Sequence, residues 1–450
     1  MTNGQVFALV DRHREMILQA EADLWKIPQT GFKEWKAHNY AAGHFEALGY
    51  TLQSAGNIPG FYTDLDTGLP GPKILIMGEL DSLLCQAHPD ADPATGAVHA
   101  CGHHAQMAAL LGIAAALKEP GALEGLSGSI RLCAVPAEEL IEIGYREELR
   151  KAGVIRYFGG KVEFLWRGYF DDVDLAFMLH TAGAPGTFGY NRGCNGCVVK
   201  NITYHGLSAH AGGSPYAGVN ALYASQVGIA ATNALRETFR DSEHVRYHPI
   251  VTYGGTAVNA IPEEVRMESY VRGATLEAIE RENRKINRAL AASAAALGAS
   301  VTLSDRPGYT PLDNAPPLLE VAHSAMAAVV GEENIWQGDW STGCTDMGDL
   351  SAVMPAIHPY VGGTAGIGHG ADYRIADAES ACVNSAKCQV LLARMLLENS
   401  AARASYILQS YQPRFSTRQA YFEAMDHLTL DKNAVTYRED GTVTLDFANL

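Results

Sequence analysis

Positive charge is scarce in this chain. Lys and Arg number 34 against 50 Asp and Glu, a net charge of −16 over 450 residues. That balance argues against nucleic acid as a partner and against an anionic membrane surface. Cysteine is sparse as well: eight residues in so long a chain do not make a disulfide scaffold. A reduced, cytoplasmic compartment is the expectation. A continuous apolar run is missing from the N-terminal segment "MTNGQVFALVDRHREMILQAEADLW", which mixes apolar and charged residues at helical spacing. Neither a signal peptide nor a membrane anchor is expected there. Internal repeats, low-complexity tracts and a glycine-rich phosphate loop are also lacking.

What is present points to a packed enzyme-sized chain. Hydrophobic residues make up 47% and charged residues 19%, enough apolar surface for a large core. The length suggests about two or three domains. Two helical patterns occupy residues 6–50. "PKILIMGELDSL", "GSIRLCAVPAEE" and "VDLAFMLHT" read as buried strands, each ending in polar groups, and "GHHAQMAALLGIAAALKE" reads as a strong helix. A β-α-β-α-β run over about 197–308 looks like a self-contained insert, after which helical patterns resume. The tail beyond Ala404 is not placed by its pattern.

The chemistry concentrates in "AVHACGHH" and "AVPAEE". Thiolate, imidazole and carboxylate are the protein ligands of borderline metals. Of two adjacent glutamates, one can hold a metal while the other moves a proton. Each residue alone is weak, since acidic pairs often cap helices. Asp81, Cys101, His103, Glu138, Glu139 and His180 all fall at or just after strand ends, however, and in a parallel sheet those ends share one side.

These segments, with "GLSAHAGGSPYAGVNAL", "GGTAVNAIPEEV" and "GIGHGADY", resemble the amidohydrolase branch of the aminoacylase/carboxypeptidase G family of two-metal peptidases. They occur in the family's order and cover nearly the whole chain. "STGCTDMGDLS" is similar to p-aminobenzoyl-glutamate hydrolase and dipeptidase-like members. The resemblance implies an α/β fold of two domains: a mixed-sheet catalytic domain with helices on both faces, interrupted by a smaller α+β lid and dimerisation domain. The implied boundaries are 1–196 and 309–450 for the catalytic part and 197–308 for the lid. It also implies a homodimer and two divalent ions per chain, zinc or manganese.

Carried over by position, Cys101 matches the bridge between the metals, and His103, Glu139, His180 and His369 match the other ligands. Glu138 matches the general base, Asp81 the carboxylate behind the ligand histidine, and His210 a lid histidine reaching a partner subunit's site. Asn259 matches a lid position that touches substrate, with a turn residue as the plain alternative. Arg272 is a candidate for a substrate carboxylate, with a surface salt bridge as the alternative. The implied activity is hydrolysis of an N-acyl amino acid or small dipeptide-like substrate with a free carboxylate. The competing readings are an inactive member serving as a binding or regulatory subunit, and a deacylase of aromatic amino-acid conjugates.

His104 departs from the family pattern and reads as a buried helix-start histidine bonded to backbone. Glu79 stands where an Asp is common, and no role is assigned to it. Cys194 and Cys197 have the spacing of a redox or zinc pair, but no second pair exists, so a structural reading is preferred. His205 and His358 are expected to be structural.

Overall fold

The computed structural model describes residues 1–448 and 450. The chain forms two compact units: Met1–Gly193 with Asp313–Trp340 and Asp349–Arg414, and Cys194–Leu312 with Ser341–Gly348 and Phe415–Leu450.

The first unit is built on a six-stranded mixed sheet. Its centre is Lys73–Glu79, flanked in parallel by Ser129–Val135 and Leu175–Phe177, with Ala356–Ile357 parallel beyond the latter. Phe61–Asp66 runs antiparallel against Ser129–Val135. Side chains alternate across a strand, and both faces are covered. Ile74, Ile76, Ile130, Leu132, Leu175 and Phe177 pack into one core with the apolar residues of the helix His103–Lys118. On the other face, Leu75, Met77, Cys133 and Val135 are equally buried, and the helix Gly160–Trp166 packs against Ser129–Val135. Burial on both sides explains why these strands read as unbroken apolar runs rather than alternating ones.

The expected third strand "VDLAFMLHT" is instead two short strands in different sheets. Leu175–Phe177 joins the central sheet, while His180–Thr181 pairs in parallel with Tyr360–Val361 in a second sheet.

The second unit is an antiparallel sheet in the order Arg246–Tyr247, Glu264–Gly273, Gly196–His205, Ser300–Tyr309 and Leu430–Asn433. The helices Ala221–Ala234 and Leu276–Ala296 pack on it. The boundaries at 196 and 308 and the placement of 415–450 in the catalytic part need correction. Phe415–Leu450 belongs to the second unit, because Leu430–Asn433 extends its sheet and Ala434, Val435 and Leu450 are buried in its core. The short segment Ser341–Gly348 belongs there too. A polar tail with few periodic apolar positions offers no pattern from which such pairing can be read.

Candidate metal centre

The parallel strands deliver their carboxyl ends to one side of the first unit, and the residues that follow those ends converge there. Asp81 follows Lys73–Glu79, and Glu138 and Glu139 follow Ser129–Val135. Cys101 precedes the helix His103–Lys118, whose first residue is His103. Gly102 between them has φ +92°, and a Cβ there would collide with Thr181 Oγ1 and Tyr373 Oη, so only glycine lets the cysteine and the histidine turn inward together. His369 also has positive φ, 65°, and its backbone N–H donates to the Ala100 carbonyl at 2.9 Å, which ties the His369 loop to the cysteine loop.

Cys101, His103 and His180 each place a ligand atom within 4.8 Å of the others, and so do Cys101, Glu139 and His369. Cys101 is thus common to two three-residue groups. His103 Nδ1 lies 3.0 Å from Asp81 Oδ1 and 3.1 Å from the Asp81 carbonyl, both acceptors, so Nδ1 carries the proton. His180 Nδ1 likewise donates to the Thr181 carbonyl at 3.0 Å, and its Nε2 faces Cys101 Sγ at 3.3 Å. Both rings therefore keep Nε2 for another partner.

Among the candidate ligands, two buried atoms lack a well-formed hydrogen bond: His103 Nε2, 3.1 Å from Glu79 Oε2, and Glu139 Oε1, 3.2 Å from His369 Nε2. Buried polar atoms are rarely left so, and a cation held by each Cys101-containing group would satisfy one of them. Burial and Glu139 push the Cys101 thiol up, but His103 and His180 outweigh them and hold it down at about 6. Burial likewise opposes ionisation of Glu139, yet His369 and His103 hold its carboxyl down at about 2. A thiolate, a carboxylate and three imidazoles form a donor set fit for borderline divalent ions.

Glu138 Oε2 stands 4.0 Å from His103 Nε2 at the edge of this cluster. Its neighbour Ala137 has φ 58°, a left-handed conformation costly for alanine. The turn is held from two sides. Glu34, fully buried, accepts the Ala137 N–H at 2.7 Å, and the buried Arg146 guanidinium donates to the carbonyls of Ala137, Phe158 and Glu139. Burial, reinforced by Asp81, raises the Glu34 carboxyl well above the ordinary range.

Several residues here lie outside the sequence expectations. Glu79 is fully buried, paired with Lys161 Nζ at 2.5 Å, accepting from Gln106 at 2.9 Å, and 3.1 Å from His103 Nε2. Burial opposes its charge, but Lys161 and His103 hold its carboxyl well below the usual range. Glu79, His103 and Glu138 form a third group of possible ligands; the lysine on Glu79 makes it a poor one. A lysine inside the apolar stretch "GGKVEFLW" was the one visible sign of a buried partner; nothing in the pattern marked Arg146.

His104 is buried, but it bonds Glu21 Oε1 through Nε2 at 3.1 Å and packs on Trp25, so the expected backbone partner gives way to a side chain. His358 is buried, with its ring 5.7 Å from that of His180. His205 meets Thr302 Oγ1 at 2.8 Å.

In the second unit, His210 and Ala260 form a backbone bridge, and the Ala211 N–H donates to the Asn259 carbonyl, so the structure brings His210 and Asn259 together. His210 Nδ1 accepts from the N–H groups of Gly212 and Gly213, which leaves Nε2 as the protonated nitrogen of an exposed side chain. Arg272 lies on Glu264–Gly273 with its guanidinium 5.2 Å from the Tyr270 ring. Cys194 and Cys197 are buried, and Cys197 is hydrogen-bonded to Cys344; among the described residues they join no group of possible metal ligands.

Residues 75–395 match the profile of peptidase family M20/M25/M40. The chain belongs to this family. It is 28% identical over 377 residues to the Xaa-Arg dipeptidase of Mus musculus, covering 81% of this chain and 80% of that protein. It is 28% identical over 291 residues to the indole-3-acetyl-aspartic acid hydrolase of Enterobacter agglomerans, 62% of each. A Bacillus subtilis structure described as a dinuclear metal binding peptidase of the M20 family superposes with a TM-score of 0.62 at 21% identity, covering 87% of this chain and 99% of that one. This M20/M25/M40 member is a hydrolase acting on amide or peptide bonds. Among the described residues no helix is long and apolar enough to cross a membrane.

Proposed function

We propose that this M20/M25/M40 protein is a two-metal hydrolase of N-acyl amino acids or small dipeptides bearing a free carboxylate. The observation that carries the reading is the sharing of Cys101 between the His103–His180 and Glu139–His369 groups. A thiolate can lie between two cations and partly neutralise both. Two divalent ions, zinc or manganese, would be held by these five residues; when bound, such a pair supplies Lewis acidity and lowers the pKa of water.

Glu138 is the residue placed to move the proton. It takes a proton from the attacking water and returns it to the leaving amine. Asp81 fixes the His103 tautomer through Oδ1, and its Oδ2 accepts the Glu139 backbone N–H at 2.8 Å, so one carboxylate orients both ligands. His210 Nε2–H is a donor suited to a developing oxyanion, and under this proposal it acts on the site of a partner subunit in a homodimer. Asn259, beside it, contacts substrate, and Arg272 is the candidate for the substrate carboxylate.

The printed activities of the relatives, a dipeptidase and a hydrolase of an indole-acyl aspartate, support both the dipeptide and the aromatic-conjugate versions. The presence of Glu138 and of a competent donor at every ligand position weighs against an inactive binding subunit. Elemental analysis of purified protein, followed by a hydrolysis panel of dipeptides and acyl-amino acids with Glu138→Gln as blank, tests the proposal. Fewer than about one divalent ion per chain after Mn or Zn loading would sink it.

A further inference from the structure

A row of aromatic groups leads away from the candidate metal centre on one face of a sheet. Tyr360 is the register partner of His180 on one side and of Gly189 on the other, so these three positions point to the same face. The Tyr360 ring lies 6.0 Å from that of His180. Gly189 has no side chain, and the Trp336 indole fills the vacated space; a Cβ at Gly189 would collide with it. Trp336 there stacks on Tyr360, centroids 5.6 Å apart and planes 27° apart.

This is an odd arrangement for a core. Trp336 is 37% exposed and Tyr360 is half-buried. Two large rings are thus lined up, with a glycine making room, next to a histidine that faces Cys101, while the end of the row stays open to solvent. Two residues of extended chain span about 7 Å. A side group on a dipeptide-sized substrate therefore reaches one ring beyond His180.

We infer that Trp336 and Tyr360 form a shelf that seats an aromatic ring of the substrate, in its acyl group or its amino-acid side chain. This rests on the amide-hydrolase reading and sharpens its substrate class. Offset stacking and apolar burial select a flat ring over a methyl group; the glycine at 189 keeps the shelf flat.

The test compares N-benzoylalanine with N-acetylalanine, and Ala-Phe and Phe-Ala with Ala-Ala. Calorimetric binding to metal-loaded Glu138→Gln measures affinity without turnover, and kcat/KM is measured on otherwise wild-type protein. The ring-bearing ligand of at least one pair binds more tightly, by roughly ten-fold. Trp336→Ala in either background collapses that preference, through KM rather than kcat, and Trp336→Phe restores most of it. Melting curves confirm that both variants fold. An equal response of ring-bearing and methyl-bearing ligands to Trp336→Ala, or no preference before mutation, overturns the shelf. A preference in binding with no hydrolysis of any compound upholds the shelf and overturns the hydrolase reading.

Discussion

Asp81 and His103 are joined by a 3.0 Å hydrogen bond between two fully buried side chains, and the second Asp81 oxygen takes the Glu139 backbone N–H. One carboxylate thereby sets the tautomer of one candidate ligand and the position of another. Asp81→Asn breaks this double role, because an amide offers one acceptor oxygen. Metal affinity is expected to fall by roughly 10–100-fold, measured by competition with a chelator. Affinity within two-fold of wild type would remove Asp81 from the metal centre.

Glu138 is expected to govern rate and leave metal content alone. Glu138→Gln should lower kcat by about 10²–10⁴ with unchanged metal stoichiometry. Cys101→Ala should instead reduce both ions together, since the thiol belongs to both groups. Loss of only one ion in Cys101→Ala contradicts the bridging role.

Metal loading should release protons. The Cys101 sulfur and the Glu139 carboxylate, facing the metal-free His369 ring as acceptors, push its imidazole up to about 11, with burial opposing. At pH 8 it is therefore protonated, and it must shed its proton to ligate. The Cys101 thiol, held at about 6, is already ionised at pH 8 and adds to the release only below that. Titration of metal-free protein with Zn²⁺ in weak buffer should liberate at least one proton per chain at pH 8, and more at pH 5. Proton-neutral binding at pH 8 counts against His369 as a ligand.

Lys161 and Glu79 form a fully buried ion pair. Lys161→Met strands the Glu79 charge and should cost about 3–5 kcal/mol in urea unfolding. Adding Glu79→Gln should recover a large part of that, because the stranded charge, not the lost packing, is the main penalty. Equal destabilisation in single and double variants would show the packing to dominate.

A trans role for His210 predicts complementation. Glu138→Ala and His210→Ala proteins, each inactive alone, should regain activity when their subunits are mixed and re-paired. Mixed dimers that stay inactive restrict His210 to its own chain or to no role.

The strand cores, the long helices and the metal-ligand candidates were legible because each leaves a local mark. Buried parallel strands are continuous apolar runs with Asp81, Glu138 and Glu139 just past their ends, and Cys101 and His103 stand at the start of an unbroken apolar helix. By itself, then, the order of residues determined the donor chemistry and the α/β character. Tertiary structure decided everything that depends on distance along the chain. It joined Cys101 to His369 and set Glu34 and Arg146 around the strained Ala137 turn. It moved 415–450 into the second unit, and it placed Lys161 on Glu79 and Trp336 in the space of Gly189. The reason is physical: a ligand type is a property of one side chain, whereas a partner is chosen by packing between segments that share no local pattern.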